Sequence, residues 1–139
     1  SINDFVYNHI NNGVYKCGFA TTQQAYGEAY IALFDALDKI EFILSQTPYL
    51  VGEQITEADW RLFTTLIRFD EVYYGHFKCN KKLIKDYPYL SAYRKKLYQW
   101  PGVAQTTNFD HIKRHYYFSH IKINPTQIVP IGPVIDYNN

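Results

Sequence analysis

The sequence has few cysteines, no excess of either charge and no long apolar run. Two cysteines, Cys17 and Cys79, are too few for a disulfide framework and are typical of a reducing cytoplasm. Fourteen basic and 13 acidic side chains leave a formal charge of +1, which provides no field to attract nucleic acid or anionic lipid. No apolar stretch has the length of a membrane span. We therefore expect a cytoplasmic protein that binds neither nucleic acid nor a membrane.

Aromatic side chains, in contrast, are plentiful. The chain has 14 tyrosines and 9 phenylalanines, and aromatics make up 18% of its residues. Tyrosine combines a flat apolar ring with one hydroxyl, so these residues can line a pocket for a flat aromatic ligand or pack helices together. Packing is the commoner role. The hydrophobic fraction of 47% over 139 residues is enough for the core of one domain.

Apolar residues recur every three or four positions along most of the chain, and no run has the period of a β-strand. This spacing predicts an all-α protein. We expect helices over residues 1–10, 22–46, 56–73, 88–98 and 109–120, with short turns between them. Asn11, Asn12 and Gly13 are expected to end the first helix, because Asn and Gly tolerate the left-handed conformation of a helix end. A loop is expected to follow.

The C-terminal segment differs in composition from the rest. Residues 122–139 contain three prolines and a glycine, with apolar residues at nearly every second position. The pattern predicts an extended tail that lies on a helical body of residues 1–121. Body and tail together form one domain, residues 1–139.

The strongest local signal is a helix start at residues 55–60, ITEADW. Thr56 and Asp59 have the spacing of a capping box, in which each side chain accepts a backbone N–H of the other residue. Ile55 and Trp60 stand at the flanking positions of a hydrophobic staple.

Metal and nucleophile sites have weaker support. His111 and His115 are four residues apart on one predicted helix, and His76 or Cys79 could supply a third ligand. The sequence has no HExxH glutamate and no paired CxxC, so we expect no metal. Cys17 follows a lysine, which favours the thiolate, but no catalytic motif surrounds it.

Several stretches carry a resemblance to a known family. The long helix followed by YLVG (49–52) and TEADW (56–60) resembles the C-terminal helical domain of glutathione S-transferases. Residues 11–26, 58–80 and 108–133 are similar to the Xi class, the glutathionyl-hydroquinone reductases, which are also called omega-like transferases. The similarity covers nearly the whole chain and implies a helical bundle with an extended, proline-rich C-terminal tail.

The resemblance also implies a second domain. Enzymes of this class carry the catalytic cysteine and most of the glutathione-binding groups on an N-terminal thioredoxin-like domain. This chain has no thioredoxin-like pattern and no Cys-Pro-Trp motif. We therefore expect the C-terminal part of a longer protein, with no catalytic residue of its own and no activity alone. Glutathione would be the cosubstrate, and the family implies a homodimer. A non-catalytic interaction module remains the alternative.

By the same resemblance, two tyrosines would hold the quinone moiety of the substrate. They correspond to Tyr15 in NNGVYKCGF and to Tyr116 in FDHIKRHYY. Phenol donors near the ring oxygens of a glutathionyl-hydroquinone would bind it and stabilise charge that develops on it. Phe19 and Tyr117 are expected neighbours by position alone. The alternative for both tyrosines is ordinary packing.

Overall fold

The computed structural model describes residues 1–138, and over this range the chain contains helices, turns and irregular segments but no β-strand. The predicted all-α class is confirmed. The α-helices are α1 (Ile2–Val6), α2 (Asn12–Gly18), α3 (Gln23–Gln46), α4 (Glu57–Arg68), α5 (Tyr74–His76), α6 (Pro88–Tyr98), α7 (Val103–Thr106) and α8 (Phe109–Ser119). Within residues 1–138, no helix is both long enough and apolar enough to cross a lipid bilayer.

Two π-helical turns make longer continuous helices. Tyr7–Asn11 joins α1 to α2, and Phe69–Tyr73 joins α4 to α5. A 3₁₀ turn, Ile84–Asp86, precedes α6. The core lies where α4 packs against α1 and α6, and where α3 packs against α2 and α6.

The predicted end of the first helix at Asn11–Gly13 is wrong, because the helix continues to Gly18. Tertiary contacts explain why Asn11 and Gly13 lie within a continuous helix. The side-chain amide of Asn11 donates to the carbonyl of Arg61 at 3.1 Å and to the hydroxyl of Thr65 at 2.6 Å. A Cβ on Gly13 would lie only 3.3 Å from Cδ1 of Leu33, so glycine permits close packing of α2 on α3. The residues that resembled a stop signal serve helix packing.

Thr56 and Asp59 form a capping box at the start of α4. The backbone N–H of Thr56 donates to the Asp59 carboxylate at 2.8 Å. The same carboxylate accepts the backbone N–H of Leu50 at 3.0 Å and the hydroxyl of Tyr93 at 2.7 Å, and Asp59 is fully buried. Asp59 therefore ties the preceding loop and α6 to α4, beyond capping one helix.

Two ion pairs fix the turn Phe69–Tyr73. Asp70 meets Arg94 of α6 at 2.9 Å, and Glu71 meets Lys113 of α8 at 3.2 Å. Removing one partner of such a buried pair is strongly destabilising, because it leaves an uncompensated charge. The pairs therefore hold this turn in register with both neighbouring helices.

Only part of the C-terminal tail lies on the body. Tyr137 is buried, its ring stacks on Phe109 with centroids 5.2 Å apart, and its carbonyl accepts a bond from Gln99 at 3.0 Å. Ile131 and Val134 are 90% and 86% exposed. The alternation predicted from the sequence therefore leaves several large apolar side chains in solvent.

Candidate functional site

The structure brings Tyr15 and Tyr116 together. Their hydroxyls, on α2 and α8, are 2.7 Å apart and share a hydrogen bond. Tyr15 is 39% exposed, whereas Tyr116 is buried at 7%. The pair thus has one end at the surface and one end in the body of the domain.

A third phenol, which sequence reasoning missed, extends this pair inward. The hydroxyl of Tyr73, at the end of the π-helical turn, lies 2.9 Å from that of Tyr116. Tyr73 is buried at 3%. In the sequence it is one of two adjacent tyrosines near the predicted end of a core helix, and nothing there separates it from a packing residue. A π-helical turn within an α-helix is frequently a functional feature.

Aromatic rings surround the three hydroxyls. The ring of Phe77 lies 5.1 Å from that of Tyr15 and 5.5 Å from that of Phe19, measured between centroids. Phe19 is 51% exposed, and its ring is parallel to that of Tyr15 at 6.3 Å. Tyr15 and Phe19 therefore form an exposed aromatic surface, which suits a flat ring.

Tyr117, the other expected neighbour, faces inward. Its hydroxyl donates to the carbonyl of Val72 at 3.2 Å, and its ring lies 4.6 Å from that of His76. Burial raises the pKa of Tyr117 to about 12. Its contacts therefore support the turn beneath the site and use its hydroxyl inside the fold.

Two histidines adjoin the phenols. Nε2 of His76 and Nδ1 of His120 are 2.9 Å apart, and the ring of His120 lies 5.6 Å from that of Tyr116. Burial and the proximity of His120 lower the pKa of His76 to about 4, and burial also lowers the pKa of His120. Both rings are therefore neutral at neutral pH, so one nitrogen of this hydrogen bond donates and the other accepts.

Tyr15 and Tyr73 also remain protonated at neutral pH. Burial raises the pKa of Tyr15 to about 12. Burial raises the pKa of Tyr73 much further. The cluster therefore offers O–H donors.

Of the other candidates from the sequence, His115 lies beside this cluster of phenols, with its ring 5.1 Å from that of Tyr116. Cys17 is not in a loop as expected; it is buried on α2. A hydrogen bond between the two thiols lowers the pKa of Cys17, and the same bond and burial raise that of Cys79. His111 and His115 are exposed on α8. Within residues 1–138, no three His, Cys, Asp or Glu side chains are arranged to hold a metal ion.

Comparison with known families agrees with this architecture. The family described as glutathione S-transferase, C-terminal domain, matches residues 23–96. The chain belongs to this family. The predicted fold, a helical bundle of the glutathione S-transferase C-terminal type, is confirmed.

Similar proteins indicate the class of glutathione S-transferase to which this chain is related. The chain is 55% identical over 132 residues to glutathionyl-hydroquinone reductase YqjG of Escherichia coli, covering 95% of this chain and 40% of that protein. The glutathione-bound structure of YqjG superposes with a TM-score of 0.98 at 54% identity, over 99% of this chain and 45% of that one.

Two further relatives agree. Glutathionyl-hydroquinone reductase PcpF of Sphingobium chlorophenolicum is 57% identical over 132 residues, covering 95% of this chain and 42% of that protein. The Xi-class transferase of Natrialba magadii has a TM-score of 0.97 at 47% identity, over 99% of this chain and 43% of that one. The resemblance to the Xi class is confirmed. The chain spans about two fifths of the length of the curated relatives it matches.

Proposed function

We propose that this chain is the substrate-pocket domain of a glutathione-dependent reductase that removes glutathione from glutathionyl-hydroquinones. The observation that carries the proposal is the Tyr15–Tyr116 hydroxyl pair, bonded at 2.7 Å beside an exposed aromatic surface. The identity of 55% and 57% to two proteins named for this activity supports the substrate class.

The proposed reaction is a thiol exchange in two steps. A cysteine thiolate, supplied by a thioredoxin-like domain of the same protein, attacks the sulfur of the glutathionyl group. The bond between this sulfur and the hydroquinone ring carbon breaks, and the cysteine forms a mixed disulfide with glutathione. The ring carbon takes the electron pair of the broken bond and then a proton. A second glutathione thiolate then attacks the mixed disulfide, which yields glutathione disulfide and restores the cysteine.

The helical domain contributes binding and charge stabilisation in this scheme. The Tyr15–Tyr116 pair holds a ring oxygen of the substrate, and Phe19 packs against the flat ring. Negative charge grows on the hydroquinone as the sulfur leaves, and a fixed O–H donor stabilises that charge without reorganisation. Glutathione is bound mainly by the other domain, and we place the protein in the cytoplasm as a homodimer.

The direct test replaces each phenol in the full-length protein. Tyr15→Phe and Tyr116→Phe should each lower kcat/KM for a glutathionyl-hydroquinone about tenfold or more, as loss of an oxyanion donor does in other enzymes. Tyr26→Phe is the matched control, because its hydroxyl bonds to the carbonyl of Lys78 at 2.6 Å, outside the site. Normal turnover in folded Tyr15→Phe and Tyr116→Phe proteins would refute the pocket assignment.

One further measurement separates this enzyme from a non-catalytic interaction module. A mass spectrum of the protein isolated from its source should show a mature chain at least about 100 residues longer, the size of one further domain. A mature protein of 139 residues would favour the interaction module.

A further inference from the structure

The three hydroxyls at the site form a hydroxyl chain, and burial indicates which hydroxyl donates in each of its hydrogen bonds. Tyr73 is the inner end, and its hydroxyl is hydrogen-bonded to that of Tyr116 at 2.9 Å. If Tyr116 donated in this bond, the buried proton of Tyr73 would have only the more distant hydroxyl of Tyr15 to donate to. A buried donor without an acceptor is costly. The favoured arrangement therefore has Tyr73 donating to Tyr116.

The donor in the first of these bonds determines the donor in the second. A hydroxyl has one proton to donate. Tyr116 accepts from Tyr73, so its own proton is free for its second partner, the hydroxyl of Tyr15 at 2.7 Å. Tyr15 accepts that bond and keeps its own proton unused within the domain. Since Tyr15 is 39% exposed, this proton is available to a bound molecule.

We propose that Tyr73 is a positioning residue that fixes the direction of this hydroxyl chain, so that Tyr15 presents its proton to a hydroquinone oxygen. The inference rests on the proposed function and adds a residue to it. Hydrogen bonds in a chain polarise one another, so each inner bond strengthens the outermost donor. Tyr15 is then the single outward donor, and Tyr116 acts through it.

The surroundings of Tyr73 suit this role. It ends the turn that the Asp70–Arg94 and Glu71–Lys113 pairs hold in place. Phe77 stacks on its ring with centroids 5.3 Å apart and an angle of 8° between planes. Burial also keeps Tyr73 protonated by raising its pKa. The inner end of the chain is therefore fixed in position and remains a donor.

Neutron diffraction from deuterated crystals of the 139-residue chain tests the direction without any activity measurement. The deuteron of Tyr73 should lie between its oxygen and that of Tyr116, and the deuteron of Tyr116 should point at Tyr15. A deuteron of Tyr116 that points at Tyr73 would overturn the proposal.

Kinetics of the full-length protein test the consequence. Tyr73→Phe should lower kcat about threefold to tenfold with little change in KM, the range that one neutral hydrogen bond spans. Tyr93→Phe is the matched control, because it also removes one buried hydroxyl bond, to Asp59 at 2.7 Å, and should leave kcat unchanged. An unchanged kcat in Tyr73→Phe, while Tyr15→Phe is impaired, would overturn the role of Tyr73 and leave the proposed function intact. An unchanged kcat in Tyr15→Phe would refute both.

Discussion

The ring of Phe77 lies against Gly18 beneath the site, in the space that a side chain at position 18 would fill. A Cβ built on Gly18 would overlap Cδ1 and Cγ of the Phe77 ring. Gly18 is the last residue of α2, three residues after Tyr15, and Phe77 follows α5. The missing side chain of Gly18 therefore allows the ring on which Tyr15 and Phe19 rest to reach α2.

This contact predicts that Gly18→Ala displaces Phe77. The variant should be destabilised by about 1–3 kcal/mol, the usual cost of overpacking a core. Gly27→Ala is the control, because Gly27 lies within α3 and a Cβ there would meet no atom within 4 Å. It should be stabilised by about 0.5–1 kcal/mol, the helix preference of alanine over glycine. Urea denaturation of both variants measures the difference, and equal midpoints would contradict the contact.

The capping box predicts unequal effects of its two residues. Asp59→Ala leaves the N–H groups of Leu50 and Thr56 and the hydroxyl of Tyr93 without their shared acceptor, so the loss should reach about 3 kcal/mol or more. Thr56→Ala should cost about 1 kcal/mol, the usual worth of a cap. Thermal melting of both variants provides the comparison. Similar losses in the two would show that Asp59 acts only as a cap.

The histidine pair predicts a loss of stability in mild acid. The pKa of His76 is about 4 in the folded protein and 6.5 by reference, so the unfolded chain binds more protons between these values. The contribution of His76 to stability should therefore be fully present above pH 6.5. The free energy of unfolding should fall by about 1–3 kcal/mol as the pH falls toward 4. His76→Gln should flatten this dependence, and His111→Gln, at an exposed position, should not. Denaturation midpoints at pH 7.5 and 5 test this prediction. If His76→Gln lost as much stability between these pH values as the unchanged protein does, the prediction would be wrong.

The burial of both cysteines predicts that the 139-residue chain alone is inactive. Cys17 and Cys79 are 3% and 0% exposed, so neither thiol is accessible to a glutathionyl-hydroquinone. Assay of the chain with glutathione and this substrate should show no turnover above background. Turnover that Cys17→Ser abolishes would instead make Cys17 the nucleophile.

The sequence by itself determined the features that depend on neighbours three or four residues away. The helix Gln23–Gln46 agrees with the predicted range 22–46, and the start of the helix at Glu57 agrees with the predicted capping box. These features rest on backbone hydrogen bonds and apolar spacing within one segment, so the local sequence specifies them.

Only the tertiary structure decided the features that depend on distant residues. Asn11 and Gly13 have the composition of a helix end, but contacts with α3 and α4 keep them helical. Tyr15 and Tyr116, 101 residues apart, bond to each other, and Tyr73 joins them from a third helix. No spacing in the sequence shows which tyrosine hydroxyls will meet, because that depends on how α2, α8 and the turn Phe69–Tyr73 pack. The resemblance singled out two of the three phenols, and the packing of the helices added the third.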